Sequence, residues 1–128
     1  MPGASLLKLS NSLAGLYGAA VVALAAVTMH LGLTQLTSAE LAVVVSTLSM
    51  LALHSLAILL LGSKLQARWL DKAVLLCWHL GCWFFVYTLL AGVWQLPLHY
   101  GPFAPLGGQL MILGWLLLAI SPWLGKRT

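Results

Sequence analysis

Charge is what this chain has least of. Only 6% of its 128 residues are charged, two acidic and six basic, where soluble domains carry about 25%. Too few polar groups are present to cover a surface facing water, which excludes an ordinary soluble domain. The two carboxylates, Glu40 and Asp71, fall on opposite sides of the second apolar run. A paired-carboxylate acid–base site is therefore excluded. No Gly-rich phosphate loop is present, and no acid lies inside an apolar run to complete a Ser–His–Asp arrangement. The cysteines number two, Cys77 and Cys82. A C-x4-C spacing in one straight helix holds the sulfurs too far apart for a disulfide, so both read as apolar filling. No residue is assigned a catalytic role.

Lys and Arg are also absent from the segments between the first and second apolar runs and between the third and fourth. Lys8 precedes run one, Lys64, Arg68 and Lys72 separate runs two and three, and Lys126 and Arg127 follow run four. The formal charge of +4 is thus the sum of membrane flanks, not a nucleic-acid footprint. Basic residues concentrate on the cytoplasmic side of membrane proteins, where the leaflet is anionic.

What the chain has is apolar length. It is 62% hydrophobic, with a mean hydropathy of +1.02. The runs cover residues 12–33, 40–62, 73–96 and 106–124. About 20 mainly apolar residues at about 1.5 Å each span a hydrocarbon core of about 30 Å. The expected fold is an all-α membrane protein: an antiparallel bundle of four transmembrane helices in one domain, residues 1–128, with both termini cytoplasmic. Residues 56–61 are continuously apolar, which a lumen-facing barrel strand is not. A rival reading treats Lys8, the first run and Ala23-Leu24-Ala25 as a cleaved signal peptide, leaving three helices in the same orientation.

Local signals set expected boundaries. Ser10-Asn11-Ser12 reads as the cap of helix one and Asp71 as the cap of helix three. Thr37-Ser38-Ala39-Glu40 matches a capping box. Pro97, Pro102 and Pro105 break the third connection, with Trp94, Tyr100 and Phe103 at interface positions, and Pro105 suits the first turn of helix four. Small residues recur in helix one as Gly15, Ala19, Ala23 and Ala26, running on to His30. In helix four Gly107, Met111, Gly114, Leu118 and Ser121 repeat with a heptad rhythm. Close helix approach in lipid favours small residues, so both stripes are expected on inner faces.

The histidines are the candidate polar chemistry. His54 and His79 fall at similar depth, about 10 Å inside the basic boundary by helix rise. Three readings stand side by side for them: neutral cross-helix hydrogen bonding, proton or substrate handling, and a bis-His haem or metal site. Two of the ligand types that zinc uses, His79 and Cys82, do not make a zinc site, and neither a metal nor a cofactor is expected. His30 ends helix one on the outer side, either snorkelling or approaching the start of helix four. His99 lies in the outer loop.

Met29-His30, the block Leu53-His54-Ser55-Leu56-Ala57-Ile58-Leu59, and Ala104-Pro105-Leu106-Gly107-Gly108 followed by Gly114-Trp115 resemble the YgdD-type small inner-membrane proteins, the family called domain of unknown function 423. The likeness runs over about residues 10–124. It implies a divergent member, a multi-pass protein of the bacterial inner (plasma) membrane without an assigned activity. It also picks out His30, His54, Pro105, Gly107, Gly108, Gly114 and Trp115, but not His79. The family's Phe-Ser-Gly-Ser-Leu-Tyr block corresponds here to Phe85-Val86-Tyr87-Thr88-Leu89-Leu90.

The functional expectation is a structural or accessory membrane module. Its partners are the bilayer and either itself or a larger membrane complex, with no nucleic acid. The alternatives are a small oligomeric transporter or proton-coupled carrier using His54, and a haem- or quinone-handling redox subunit.

Overall fold

The computed structural model describes residues 2–64 and 68–124; the basic pair Lys126 and Arg127 lies outside them. Four helices long and apolar enough to cross a membrane make up these residues: α1 (Gly3–Gln35), α2 (Ser38–Gly62), α3 (Trp69–Trp94) and α4 (Phe103–Leu124). Among the described residues there is no strand. The outer surface is apolar on every helix: Leu16 is 64% exposed, Leu56 68%, Leu76 59% and Ile112 61%. Such a surface is a liability in water and the ordinary state in lipid. It fits a multi-pass membrane protein.

The helix boundaries follow the local chemistry in one case and depart from it in two. The capping box forms as expected. The Glu40 backbone N–H donates to the Thr37 hydroxyl at 3.2 Å, and the Thr37 N–H donates to the Glu40 carboxylate at 2.8 Å. Helix one, by contrast, does not begin at Ser10-Asn11-Ser12. The apolar residues Leu6, Leu7 and Leu9 carry the helix back beyond Gly3. The Ser10 hydroxyl is occupied by His79 instead of a helix end. Asp71 does not cap helix three either. That helix starts at Trp69 with Arg68 in the cap position and no side-chain cap. Asp71, 4% exposed, faces the Arg68 guanidinium at 3.4 Å, which also donates to the Ser121 carbonyl at 3.4 Å.

Two helices contain a widened π turn, Thr28–Gly32 in α1 and Trp83–Tyr87 in α3. The link from α3 to α4 turns sharply, with Gln95 (φ 55°) and Leu98 (φ 61°) in the left-handed region. The Tyr87 hydroxyl donates to the Pro97 carbonyl across its base. Phe103 stacks on Phe84 (5.2 Å between centroids) and meets Tyr100 edge-on.

The principal interfaces are α1 with α2 and α3 with α4, while α2 also meets α3. The α3–α4 interface is built on glycine. A Cβ on Gly107 would overlap the Phe85 backbone nitrogen in the π turn and stand 2.8 Å from the Gly81 carbonyl oxygen. One on Gly81 would stand 2.8 Å from Met111 Cγ and 2.9 Å from the Gly107 carbonyl oxygen. The expected stripe of helix four is therefore inward: Gly107, Met111, Gly114 and Ser121 are buried and Leu118 partly so.

The stripe of helix one is not. Gly15, Ala19, Ala23, Ala26 and His30 are exposed, and Ser10, Ala14, Tyr17, Thr28 and Gly32 are the buried positions. Tyr17 supplies more contact area than an alanine, and Ser10 and Tyr17 bring hydroxyls to a polar partner. These gains decide which face turns inward, because the small-residue stripe offers neither contact area nor polar partners.

Candidate functional site

His54 sits at the centre of the bundle. It is 2% exposed and lies one helical turn after Met50 on α2. Its Nδ1–H donates to the Met50 carbonyl at 2.8 Å. Its Nε2 accepts from the Trp115 indole N–H of α4 at 3.1 Å. Those two partners require the neutral Nδ1–H tautomer, with both nitrogens satisfied. Trp78 of α3 completes an aromatic cluster. It meets His54 edge-on at 5.9 Å and Trp115 at 4.8 Å between centroids, and it is fully buried. One side chain from each of α2, α3 and α4 thus meets here, with His54 and Trp78 buried and Trp115 39% exposed at the rim.

Gly114 makes the cluster possible. A Cβ there would stand 2.5 Å from Trp78 Nε1. The indole therefore lies directly over the α4 backbone, and its own N–H is buried without a hydrogen-bond partner. The Trp78–Trp115 contact and the packing against Gly114 hold that orientation.

His79 forms a second, separate polar group. Its Nε2 lies 2.8 Å from the Ser10 hydroxyl and its Nδ1 lies 2.7 Å from the Tyr17 hydroxyl. One hydroxyl accepts the ring N–H and the other donates to the bare nitrogen, so the group ties α3 to α1 in either tautomer. A further cross-helix bond links α2 to α1, from the Ser55 hydroxyl to the Ala14 carbonyl at 2.7 Å. Thr28, Thr47 and Ser49 instead bond back to carbonyls four residues earlier in their own helices, which satisfies a hydroxyl within one helix.

The expected site residues divide accordingly. His54, Gly114 and Trp115 meet around Trp78, while Gly107 packs about two turns away against Phe85 and Gly81 of α3. Gly108 packs partly buried beside Phe85. Pro105 is exposed in the first turn of α4, and His30 is exposed in the π turn of α1. His79 does not join His54: neighbouring positions on α3 send Trp78 to one interface and His79 to another. Among the described residues no three His, Cys, Asp or Glu side chains gather where a metal ion would sit.

Sequence reading passed over Trp78, Tyr17 and Gly81. Trp78 carried a signal. It lies well inside its helix, away from the interface belts where tryptophan usually resides in membrane proteins. Comparison with known protein families, with curated proteins and with solved structures gives no match.

Proposed function

We propose that this chain is a structural or accessory membrane module, an antiparallel four-helix bundle that acts by packing against a second copy or a larger membrane complex. The observation that carries this reading is His54. Both ring nitrogens are engaged within the bundle, and its surroundings are two indoles rather than an open path. Such an imidazole fastens helices together. A carrier that moved protons on His54 would have to break the Trp115 contact in every cycle.

The topology belongs to the same proposal: an inner-membrane protein with both termini cytoplasmic. The positions of Lys8, Lys64, Arg68 and Lys72 support it. Asn11 lies against Gly62, Ser10 against His79 and Arg68 against Ser121, so the basic flanks of α1, α2 and α3 gather at one end. Kinship with the YgdD-type family rests on the segments given above. Its support from the fold is that three of the seven motif positions, His54, Gly114 and Trp115, drawn from two distant blocks, meet around Trp78.

The test is affinity purification from native membranes in mild detergent, comparing the wild type with His54→Ala. A partner or second copy that is retained by the wild type and released with loss of bundle stability supports the accessory role. A variant that assembles normally but loses a measured solute or proton flux refutes it. Reporter fusions at both ends check the topology, and a periplasmic C-terminal signal refutes four spans.

A further inference from the structure

We propose that the groove between the start of α1 and the first half of α3 binds one anionic phospholipid, with an acyl chain in the groove and the phosphate against Lys72. The groove has a volume of about 410 Å³, within the roughly 300–1,000 Å³ range of ligand sites. Leu7, Leu13, Leu75 and Leu76 line its body. It runs from Gly3 to Leu13 along α1, a rise of about 15 Å, so it is long enough for a stretch of extended chain.

Its polar groups are few and unequal. Ser10 and His79 line it but bond to each other, which leaves no free polar floor for a soluble anion. Lys72 lines it as well and is exposed. Among the described residues Lys72 has no carboxylate partner. Asp71, the carboxylate beside it, is taken by Arg68. Lys72 stands about 10 Å from His79 by helix rise, toward the end where Lys8 and Lys64 also lie. An unneutralised cation at the mouth of an apolar channel fits an amphiphile with one anionic head. A zwitterionic lipid would fill the channel equally well but gain less from the charge.

The inference rests on the reading that the chain spans a bilayer with its basic end at an anionic leaflet. Its test is a lipid titration of the full-length protein in detergent, followed by native mass spectrometry. The probes are phosphatidylglycerol, phosphatidylcholine with the same chains, and glycerol phosphate. Phosphatidylglycerol is expected to bind most tightly and glycerol phosphate not at all. Lys72→Gln should weaken phosphatidylglycerol about fivefold, the worth of one lysine near an anionic head, and leave phosphatidylcholine unchanged. Lys64→Gln, outside the groove, should change neither. Equal binding of the two lipids, binding of glycerol phosphate alone, or equal losses in the two variants would overturn the proposal. Because the titration is done in detergent, its failure leaves the topology standing, and a reversed reporter result leaves the measured affinity standing.

Discussion

The Trp115 indole N–H meets His54 Nε2 at 3.1 Å, and this contact joins α4 to α2, from a part-exposed indole to a buried imidazole. Removing the donor leaves a buried acceptor in an apolar interior. Trp115→Phe keeps a ring but deletes the N–H, and should destabilise the protein by about 1–2 kcal/mol. Unfolding in detergent with increasing denaturant measures the difference. The coupling between Trp115→Phe and His54→Phe in a double-mutant cycle should be about 0.6–1.7 kcal/mol. A coupling near zero would mean that the aromatic packing, not the hydrogen bond, holds the site.

The glycines of the α3–α4 interface make a sharper prediction. Gly107→Ala places a methyl group against backbone atoms of Phe85 and Gly81, which have no flexible end to move aside. Overpacking of this kind costs about 1–3 kcal/mol. Gly15→Ala on the outer face of α1 meets nothing within 4 Å and should be neutral or slightly stabilising, since alanine favours a helix over glycine by about 1 kcal/mol. Thermal unfolding of the two variants side by side settles the order. The reverse order would place α1's small-residue face at an interface.

That pair of glycines also marks how far the sequence could be read. Apolar length gives four helices, and a capping box gives the start of α2, because both signals are local. The heptad of α4 was legible because Gly107 and Gly114 are small where Gly81, Phe85 and Trp78 press closest. The inner face of α1 was not. Lipid and protein interior are both apolar, so hydropathy does not separate them, and the deciding contacts are Tyr17 and Ser10 with His79 from a helix far along the chain. The same limit hid Trp78. Its partners, His54, Trp115 and Gly114, come from two other helices and become neighbours only in the packed bundle.

Thr37 and Glu40 cap α2 at its exposed end. Thr37→Ala removes the side-chain acceptor and should cost about 1 kcal/mol, whereas Thr37→Ser should retain most of the stability. Hydrogen exchange gives a more local measure, with faster exchange confined to the first turn of α2 in the alanine variant. Uniform acceleration along the helix would show that the cap governs more than its own turn.

Arg68 and Asp71 test burial against pairing. Asp71 is nearly buried while Arg68 is about one-third exposed, and their contacts are long at 3.4 Å. The carboxylate depends on the guanidinium more than the reverse, because an uncompensated buried charge is the costly species. Arg68→Gln should therefore destabilise the protein by about 1–3 kcal/mol, also losing the bond to the Ser121 carbonyl of α4. Asp71→Asn removes the buried charge while preserving its shape, leaves Arg68 access to solvent and Ser121, and should cost less. Denaturant midpoints of the two variants and the double variant decide it. Arg68→Gln combined with Asp71→Asn should recover part of the loss, and a double variant worse than Arg68→Gln alone would show that Asp71 serves a partner other than Arg68.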